Sequence, residues 1–313
     1  MEKKISAIII LTILLCVNAY AEDVYVAKYD RDRQAAISYT FDDGLLEHYT
    51  LVFPKLKELG IKATFCIIGS KVGRDQKGTP CMTWEQLKEM ADAGYEITNH
   101  GYKHQSMEKI SGEAIRYEVQ HNDTLIYNKV GVFPRTYFYP GNRKTEEGLA
   151  FCSKDRVGTR TFQVSLGGRR DSIWTEKWLE RILKQKEWGV TMTHGITIGY
   201  DCMKDPKFFW NHIEKTSKMQ DRIWIATFHD ISAYIAEREA IKLDIKANKN
   251  GYIVKPVLSL DKSIFHQPLT LVVKGKIAEV KQKGKNLSVT NKDGNSLFNF
   301  DPHGGIIHIM YDY

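Results

Sequence analysis

The sequence predicts an α/β protein built on a distorted (β/α) barrel and followed by a small all-β module. Between residues 36 and 231, short apolar segments alternate with amphipathic helical segments, which is typical of a parallel sheet connected by helices. From about residue 242 the helical period is lost, and short alternating runs separated by turn signals replace it. We therefore predict a large α/β domain over residues 22–241 and a β-rich accessory module over residues 242–313.

Seven apolar segments have the length and composition of buried strands, at residues 36–42, 62–68, 95–99, 135–139, 157–160, 189–194 and 223–228. The clearest helix between them begins after Thr83 as its N-cap, carries an apolar stripe that includes Leu87 and Met90, and ends at Gly94. In parallel α/β folds, functional residues gather at the carboxyl ends of the strands. Polar residues that follow the predicted strands are therefore the candidates for a site.

The β-rich module is predicted from two turn signals and the runs around them. Asn250-Gly251 and Asp293-Gly294 indicate hairpins, and alternating runs lie at residues 252–260, 269–273 and 286–290. The module could bind sugar, pack as a structural cap or shape a substrate cleft, and the sequence leaves these roles open.

The N-terminus has the pattern of a signal peptide over residues 1–21. Lys3 and Lys4 precede an apolar run at residues 5–17, and Ala19 and Ala21 follow in the spacing of a cleavage site. The run is short for a bilayer crossing, which needs roughly 20 residues, so an uncleaved anchor is the lesser alternative. We expect a secreted or periplasmic protein with no stable membrane span after cleavage.

Composition and charge indicate a folded protein that does not bind nucleic acid. Hydrophobic residues make up 42% of the chain, which supports a real core, and the formal net charge of +7 is small and dispersed. Without a long basic run, we predict no nucleic acid partner.

The four cysteines after residue 21 have no C-x-x-C spacing, so a zinc ribbon is not expected, while one or two disulfides are allowed. Nothing in the sequence indicates an oligomeric state.

Two pairs of side chains indicate a metal-dependent hydrolase. Asp42 and Asp43 end the first predicted strand, where neighbouring side chains point to opposite faces, so one carboxylate can bind a metal and the other can transfer protons. His100 and His104 are four residues apart, and on a helical turn they would lie on one face and share a cation. Either pair alone is common on ordinary surfaces, but together with His194 at the end of another strand they form a consistent set.

Over roughly residues 30–240, these motifs resemble those of the polysaccharide deacetylases, the NodB-homology group of carbohydrate esterase family four. Thr-Phe-Asp-Asp-Gly at 40–44 resembles the first motif, Asn-His-Gly-Tyr-Lys-His at 99–104 the second, Tyr-Pro-Gly-Asn at 139–142 the third and Val-Thr-Met-Thr-His-Gly at 190–195 the last. The resemblance implies a divalent metal, most often Zn²⁺ with Co²⁺ or Ni²⁺ as alternatives. It also implies these roles: Asp42 as the catalytic base, Asp43, His100 and His104 as metal ligands, His194 as the general acid, the Gly141 N–H as an oxyanion donor, Met192 as a wall of the acetyl pocket, and Tyr139 and Pro140 as residues of the oxyanion and substrate pocket.

The chain departs from the family pattern in two places. Many members have an arginine two residues before the third-motif proline, where this chain has Phe138, so Arg135, Arg143 and Arg160 are the candidates to hold Asp42 instead. The adjacent Asp-Trp pair of the fourth motif is also missing. Asp171 and Trp174 lie in the right interval, and we assign them as the partner of His194 and a wall of the pocket.

The sequence therefore predicts a metal-dependent hydrolase that removes acetyl groups from a carbohydrate, with an acetylated glycan as substrate and N-deacetylation as the first choice. An O-acetyl esterase of the xylan type would use the same chemistry on a different leaving group. A catalytically decayed glycan-binding protein is the alternative outside the enzyme class, motivated by the two departures. A serine nucleophile is not predicted because no G-x-S-x-G motif is present.

Overall fold

The computed structural model describes residues 23–312, so the predicted signal peptide and Tyr313 lie outside the described residues. The strands are β1 Val24–Val26, β2 Ala35–Ser38, β3 Thr40–Phe41, β4 Thr64–Ile67, β5 Glu96–Asn99, β6 Thr136–Phe138, β7 Gly158–Arg160, β8 Val164–Ser165, β9 Trp188–Met192, β10 Ile223–Ile225, β11 Lys242–Asn248, β12 Gly251–Val257, β13 Leu269–Lys274, β14 Ile277–Gln282, β15 Lys285–Asn286, β16 Thr290–Lys292, β17 Asn295–Phe300 and β18 Ile307–Tyr311.

The α-helices are α1 Phe53–Glu58, α2 Trp84–Asp92, α3 Glu113–Arg116, α4 Asn122–Val130, α5 Glu146–Ser153, α6 Ser172–Gln185, α7 Lys207–Ser217 and α8 Phe228–Ala240. A π-helical turn at His48–Val52 leads into α1, and another at Tyr117–His121 joins α3 to α4. No helix within residues 23–312 is long and apolar enough to cross a membrane.

The described chain forms two compact units, of which the first is Arg33–Ala233. Its strands form two parallel sheets with the orders β10-β2-β9-β8 and β3-β4-β5-β6-β7. A parallel bridge between Phe41 and Thr193 joins β3 to the residue after β9, so the sheets continue into one another and curl. The predicted α/β class and barrel-like architecture are confirmed as a curled parallel half-barrel.

All seven predicted strands of this unit are present, and α2 begins and ends as predicted. Thr83 caps α2 reciprocally with Gln86, and Gly94 follows the helix at φ +80°. The sequence does not predict β8, because a two-residue strand is too short to produce a periodic pattern of its own.

Apolar side chains between the sheet and the helices form the core of the first unit. Phe41 on β3 stacks on Phe65 of β4 with ring centroids 5.0 Å apart, and both side chains are fully buried. Since Asp42 follows Phe41 directly, burial of this ring fixes the end of β3 and the direction in which the carboxylates leave it.

His212 on α7 is a buried histidine of this core and should make stability depend on pH. Its Nε2 lies 3.0 Å from the Tyr39 hydroxyl, and burial lowers its pKa to about 4 from an ordinary 6.5. The unfolded chain therefore binds the proton first, so stability is complete above pH 6.5 and is lost as the pH falls toward 4, by about 1.4 kcal/mol per pH unit. Urea unfolding of His212→Gln between pH 7 and 4.5 should lose stability less steeply than wild type, and equal slopes would contradict this assignment.

The second unit contains the described residues before Arg33 together with those from Tyr234 onward. It has two antiparallel sheets with the orders β1-β13-β17-β16 and β11-β12-β18-β14-β15. Both predicted hairpins are present, since Asn248 pairs with Gly251 and Lys292 pairs with Asn295. The run predicted at residues 286–290 is strand only at its two ends, and β1 pairs with β13 although the sequence analysis places it in the α/β domain. The roles assigned to the predicted domains stay predictions.

Candidate active site

A single pocket of about 350 Å³ collects the residues that follow four parallel strands. Asp42 and Asp43 follow β3, His100 and His104 follow β5, the Tyr139–Asn142 turn follows β6, and His194 follows β9. The residues that line the pocket are Asp42, Asp43, His100, His104, Tyr139, Gly141, Asn142, Met192, His194 and Tyr200. Pro140 begins the short 3₁₀ turn that contains Gly141. Because the carboxyl ends of parallel strands lie at the same edge of the sheet, residues that are far apart in sequence meet in this pocket.

Asp42 is held by Arg160, which ends β7. The guanidinium donates to both carboxylate oxygens, from Nη1 to Oδ1 at 2.7 Å and from Nη2 to Oδ2 at 2.5 Å, and both side chains are fully buried. Burial alone would raise the pKa of Asp42, but the charge and hydrogen bonds of Arg160, with smaller effects of His100 and His194, hold that pKa well below its ordinary value. Asp42 is therefore an oriented carboxylate that is ionised at neutral pH.

The other two candidate arginines lie elsewhere. Arg135 donates from Nη1 to the carbonyl oxygen of Asp155 at 3.0 Å, and Arg143 is 65% exposed and lies 3.7 Å from a carboxylate oxygen of Glu108. Arg160 is thus the one of the three candidates that contacts Asp42.

Asp43, His100 and His104 converge on one point. Oδ1 of Asp43 lies 3.6 Å from Nε2 of His100 and 3.7 Å from Nε2 of His104, and the two Nε2 atoms are 3.2 Å apart. The Nδ1–H of His100 points at the carbonyl oxygen of Phe138, 2.8 Å away, which leaves a lone pair on Nε2. Among the described residues, Oδ1 of Asp43 has no hydrogen-bond partner although it is buried.

These three atoms fit a bound metal ion. They all lie within 4.8 Å of one another, and two nitrogens bonded to one zinc at about 2.1 Å are roughly 3.4 Å apart at the tetrahedral angle. Burial lowers the pKa of both imidazoles, that of His104 to about 4, so both are neutral and able to bind a cation. Asp42, Cys66 and His100 form a second group with suitable spacing, but Arg160 already occupies both oxygens of Asp42.

The predicted helical turn between His100 and His104 is wrong, although the two imidazoles do converge. The segment is an irregular loop, with Gly101 at φ +79° and His104 at φ +61°. Positive φ at these positions is incompatible with a right-handed helix, so the loop's backbone path brings the rings together.

His194 is buried at the end of β9, and its position follows from the register of the strands. The amide of Asp42 donates to the carbonyl oxygen of Thr193 at 2.8 Å, which places His194 beside the aspartates. The ring of Tyr200, 74% exposed, stands edgewise on the imidazole with centroids 4.9 Å apart. Within the described part of the chain, Nδ1 of His194 has no hydrogen-bond partner.

The structure does not bring Asp171 and Trp174 into this pocket. Asp171 is the N-cap of α6 and accepts a hydrogen bond from the Trp174 amide at 2.8 Å, while the Trp174 ring stacks on Trp178. The carboxylate is engaged by its own helix, so the assignment of Asp171 as partner of His194 is corrected to a capping role. Trp174 is likewise no wall of the pocket.

Four residues around the site have no role predicted from the sequence: Glu47, Glu118, Asn142 and Tyr200. Asn142 and Tyr200 line the pocket, and the two glutamates hold the loops behind it. The third-motif resemblance includes Asn142, but no local pattern distinguishes the other three from surface residues. The four cysteines in the described residues are free thiols, and Cys66 is buried in β4 and donates to Oδ1 of Asp42 at 3.2 Å.

Comparison with known proteins finds a family match for part of the chain. Residues 29–154 match the model of the polysaccharide deacetylase family, a range that contains Asp42, Asp43, His100, His104 and Gly141. This segment is similar to the polysaccharide deacetylases. The resemblance found in the sequence motifs is thereby confirmed, and Arg160 and His194 lie beyond the matched range.

Several polysaccharide deacetylase relatives align with part of the chain. A Bacillus subtilis protein designated a polysaccharide deacetylase is 32% identical over 115 residues, 37% of this chain and 40% of the relative. A peptidoglycan-N-acetylglucosamine deacetylase of Bacillus cereus is 27% identical over 122 residues, 39% of this chain and 42% of the relative. A bifunctional xylanase/deacetylase of Pseudobutyrivibrio xylanivorans is 32% identical over 99 residues, 32% of this chain and 15% of the relative. The chain spans less than half the length of each.

A solved structure has a similar fold over much of the chain. A Mycobacterium smegmatis protein designated a polysaccharide deacetylase superposes with a TM-score of 0.54 at 14% identity, covering 69% of this chain and 94% of that chain. At this identity the likeness shows the fold alone.

Proposed function

We propose that this chain is a metal-dependent hydrolase that removes acetyl groups from a carbohydrate, with N-deacetylation as its principal reaction. One observation carries the proposal: Asp43, His100 and His104 converge in the pocket that also contains Asp42, paired with Arg160, and His194. A glycan-binding protein without catalysis would not need a buried, oriented base beside three convergent ligand atoms.

Asp43 and the Nε2 atoms of His100 and His104 would hold the metal, which we propose is zinc. When bound, zinc would polarise the acetyl carbonyl and lower the pKa of a water molecule. The hydrogen bond between His100 and the Phe138 carbonyl fixes the tautomer that zinc requires. Cobalt and nickel accept the same nitrogen and oxygen donors and are the alternatives.

The remaining residues of the pocket would manage protons and charge. Asp42 is ionised and oriented by Arg160, so it can accept a proton from the attacking water. The amide of Gly141 would donate to the oxyanion, and φ +60° at this residue permits the turn that presents it. His194 would donate a proton to the departing group, with Met192 and Tyr139 as walls of the acetyl pocket.

The substrate we propose is an N-acetylated glycan, in line with the relative named for N-acetylglucosamine. The exposed ring of Tyr200 at the pocket offers an apolar face on which a sugar ring can pack. One observation favours the O-acetyl esterase alternative: no carboxylate among residues 23–312 bonds to Nδ1 of His194, and an alcohol depends less than an amine on protonation as it leaves.

Acetate release from N-acetylglucosamine oligomers and from O-acetylated xylan, measured in parallel on the zinc-loaded protein, distinguishes these two functions. We expect release from the oligomers, and release from xylan alone would replace N-deacetylation with the esterase function. We also propose that the protein acts outside the cytoplasm, since the predicted signal peptide precedes the described residues. Mass determination of the exported protein tests this, with Glu22 expected as the first residue.

A further inference from the structure

Glu118 is a buried glutamate that holds the loop between the two histidine ligands. Its Oε1 accepts hydrogen bonds from the backbone amides of Lys103 and Gln105, both at 2.8 Å, and its carbonyl oxygen accepts from the Tyr102 amide at 2.9 Å. The side chain is 1% exposed. Three bonds from one residue therefore fix the backbone on both sides of His104.

The loop is shaped around this carboxylate. A Cβ atom at Gly101 would lie 2.7 Å from Oε1 of Glu118, so only glycine allows the carboxylate to approach. Glu118 itself lies in the π-helical turn Tyr117–His121, where the local geometry departs from that of the flanking helices.

Glu47 holds the other loop of the pocket in the same manner. Its buried carboxylate accepts from the amides of Ile196 at 2.9 Å, Thr197 at 3.0 Å and Ile198 at 3.2 Å, immediately after His194. Glu47 therefore offers an internal comparison, because it holds the loop of a proposed proton donor and not a loop of metal ligands.

We propose that Glu118 is a positioning residue that forms the metal-binding loop before the metal arrives and thereby sets the metal affinity, whereas Glu47 has no influence on that affinity. The inference rests on the metal site of the proposed function. A loop that is already ordered does not lose conformational freedom when the ion binds. A change that disorders the free loop therefore lowers the metal affinity, because the loop must then be ordered on binding.

Two variants separate position from charge at Glu118. Glu118→Asp keeps the charge but withdraws the carboxylate by about 1.5 Å, one carbon–carbon bond. Glu118→Gln keeps an acceptor at Oε1 but removes the charge. Zinc affinity, measured by competition with a chelator, should fall about 10–100-fold in Glu118→Asp, the usual cost of losing support behind a metal ligand, and should stay within about threefold in Glu118→Gln.

Glu47→Asp is the matched control, because it shortens a buried glutamate that also accepts hydrogen bonds from the backbone amides of a loop. We expect its zinc affinity to equal that of wild type, with thermal unfolding of the zinc-free proteins confirming that all variants fold. Wild-type affinity in a folded Glu118→Asp variant, or an equal loss in Glu118→Gln, would overturn the positioning role. An equal loss in Glu47→Asp would do the same, since the effect would not be specific to the metal loop.

A measurement on the wild type keeps the test independent of variants that fail to fold. In the zinc-free protein, hydrogen exchange at the amides of Lys103 and Gln105 should already be slow, and exchange at the rate of an unstructured peptide would overturn the preformed loop. A wild-type protein that binds no zinc would contradict the proposed function itself, which is a different result from unchanged affinity in Glu118→Asp.

Discussion

Asp42→Asn is expected to lower kcat for acetate release by about 10²–10⁴-fold, the usual contribution of a positioned general base, while zinc remains bound. The carboxylate is ionised because Arg160 holds its pKa well below the ordinary value, and an amide cannot accept the proton from water. Since Asp42 is not one of the three convergent ligands, the metal site should survive the change.

The matched control for Asp42→Asn is Cys66→Ala. The Cys66 thiol donates to Oδ1 of Asp42 at 3.2 Å, but Arg160 keeps both of its bonds when the thiol is removed. We expect Cys66→Ala to keep most of its activity, with both variants compared by initial rates at matched zinc content. A kcat within tenfold of wild type in Asp42→Asn would show that the base is another group.

Arg160→Met is expected to destabilise the fold by about 3–5 kcal/mol, because it leaves the buried Asp42 carboxylate without its partner. Urea unfolding at neutral pH measures the loss. The folded-state pKa of Asp42 lies below its unfolded value, so the pair stabilises the protein above about pH 4 and its contribution is lost as the pH falls further. Without Arg160, burial raises the pKa of Asp42, so the difference between wild type and Arg160→Met should begin to shrink above pH 4 and continue to shrink on further acidification.

A second buried arginine provides the control for this prediction. Arg156 pairs with Asp123 at 2.6 Å, and both side chains are nearly as buried as the Arg160 pair, but neither residue lines the active-site pocket. Arg156→Met should lose comparable stability yet retain activity per folded molecule, whereas Arg160→Met should lose both. Unchanged stability in Arg160→Met would contradict the claim that an unpaired Asp42 carboxylate destabilises the fold. A partial recovery of stability in the Asp42→Asn/Arg160→Met double variant would support that claim.

The α/β architecture could be predicted because its strands are apolar runs of ordinary length. Seven such runs contain strands of the first unit, whereas β8 with two residues gives no periodic signal of its own and β1 was not predicted. The hairpins at Asn250-Gly251 and Asp293-Gly294 were predicted because these dipeptides have turn chemistry that does not depend on tertiary context, whereas the hairpin between β14 and β15 was not predicted.

Site residues that follow a strand could be predicted from the sequence. Site residues whose position depends on contacts between distant parts of the chain could not. Arg160 stayed one of three candidates because its contact with Asp42 joins residues 118 positions apart, which only the register of the sheet determines. Asp171 was misassigned because an aspartate before a helix has the same local pattern whether it caps the helix or faces a histidine. Glu47 and Glu118 support the loops through hydrogen bonds to buried backbone amides. Neither composition nor residue spacing indicates such contacts.

The most direct test of the proposed hydrolase is a zinc titration of the metal-free protein, with acetate release from N-acetylglucosamine oligomers as the readout. We expect that the chelated wild-type protein releases no acetate, that activity rises to a plateau at one zinc ion per chain, and that Asp42→Asn binds one zinc ion without recovering activity. Undiminished release by the metal-free protein would contradict the roles of Asp43, His100 and His104, and with them the central claim.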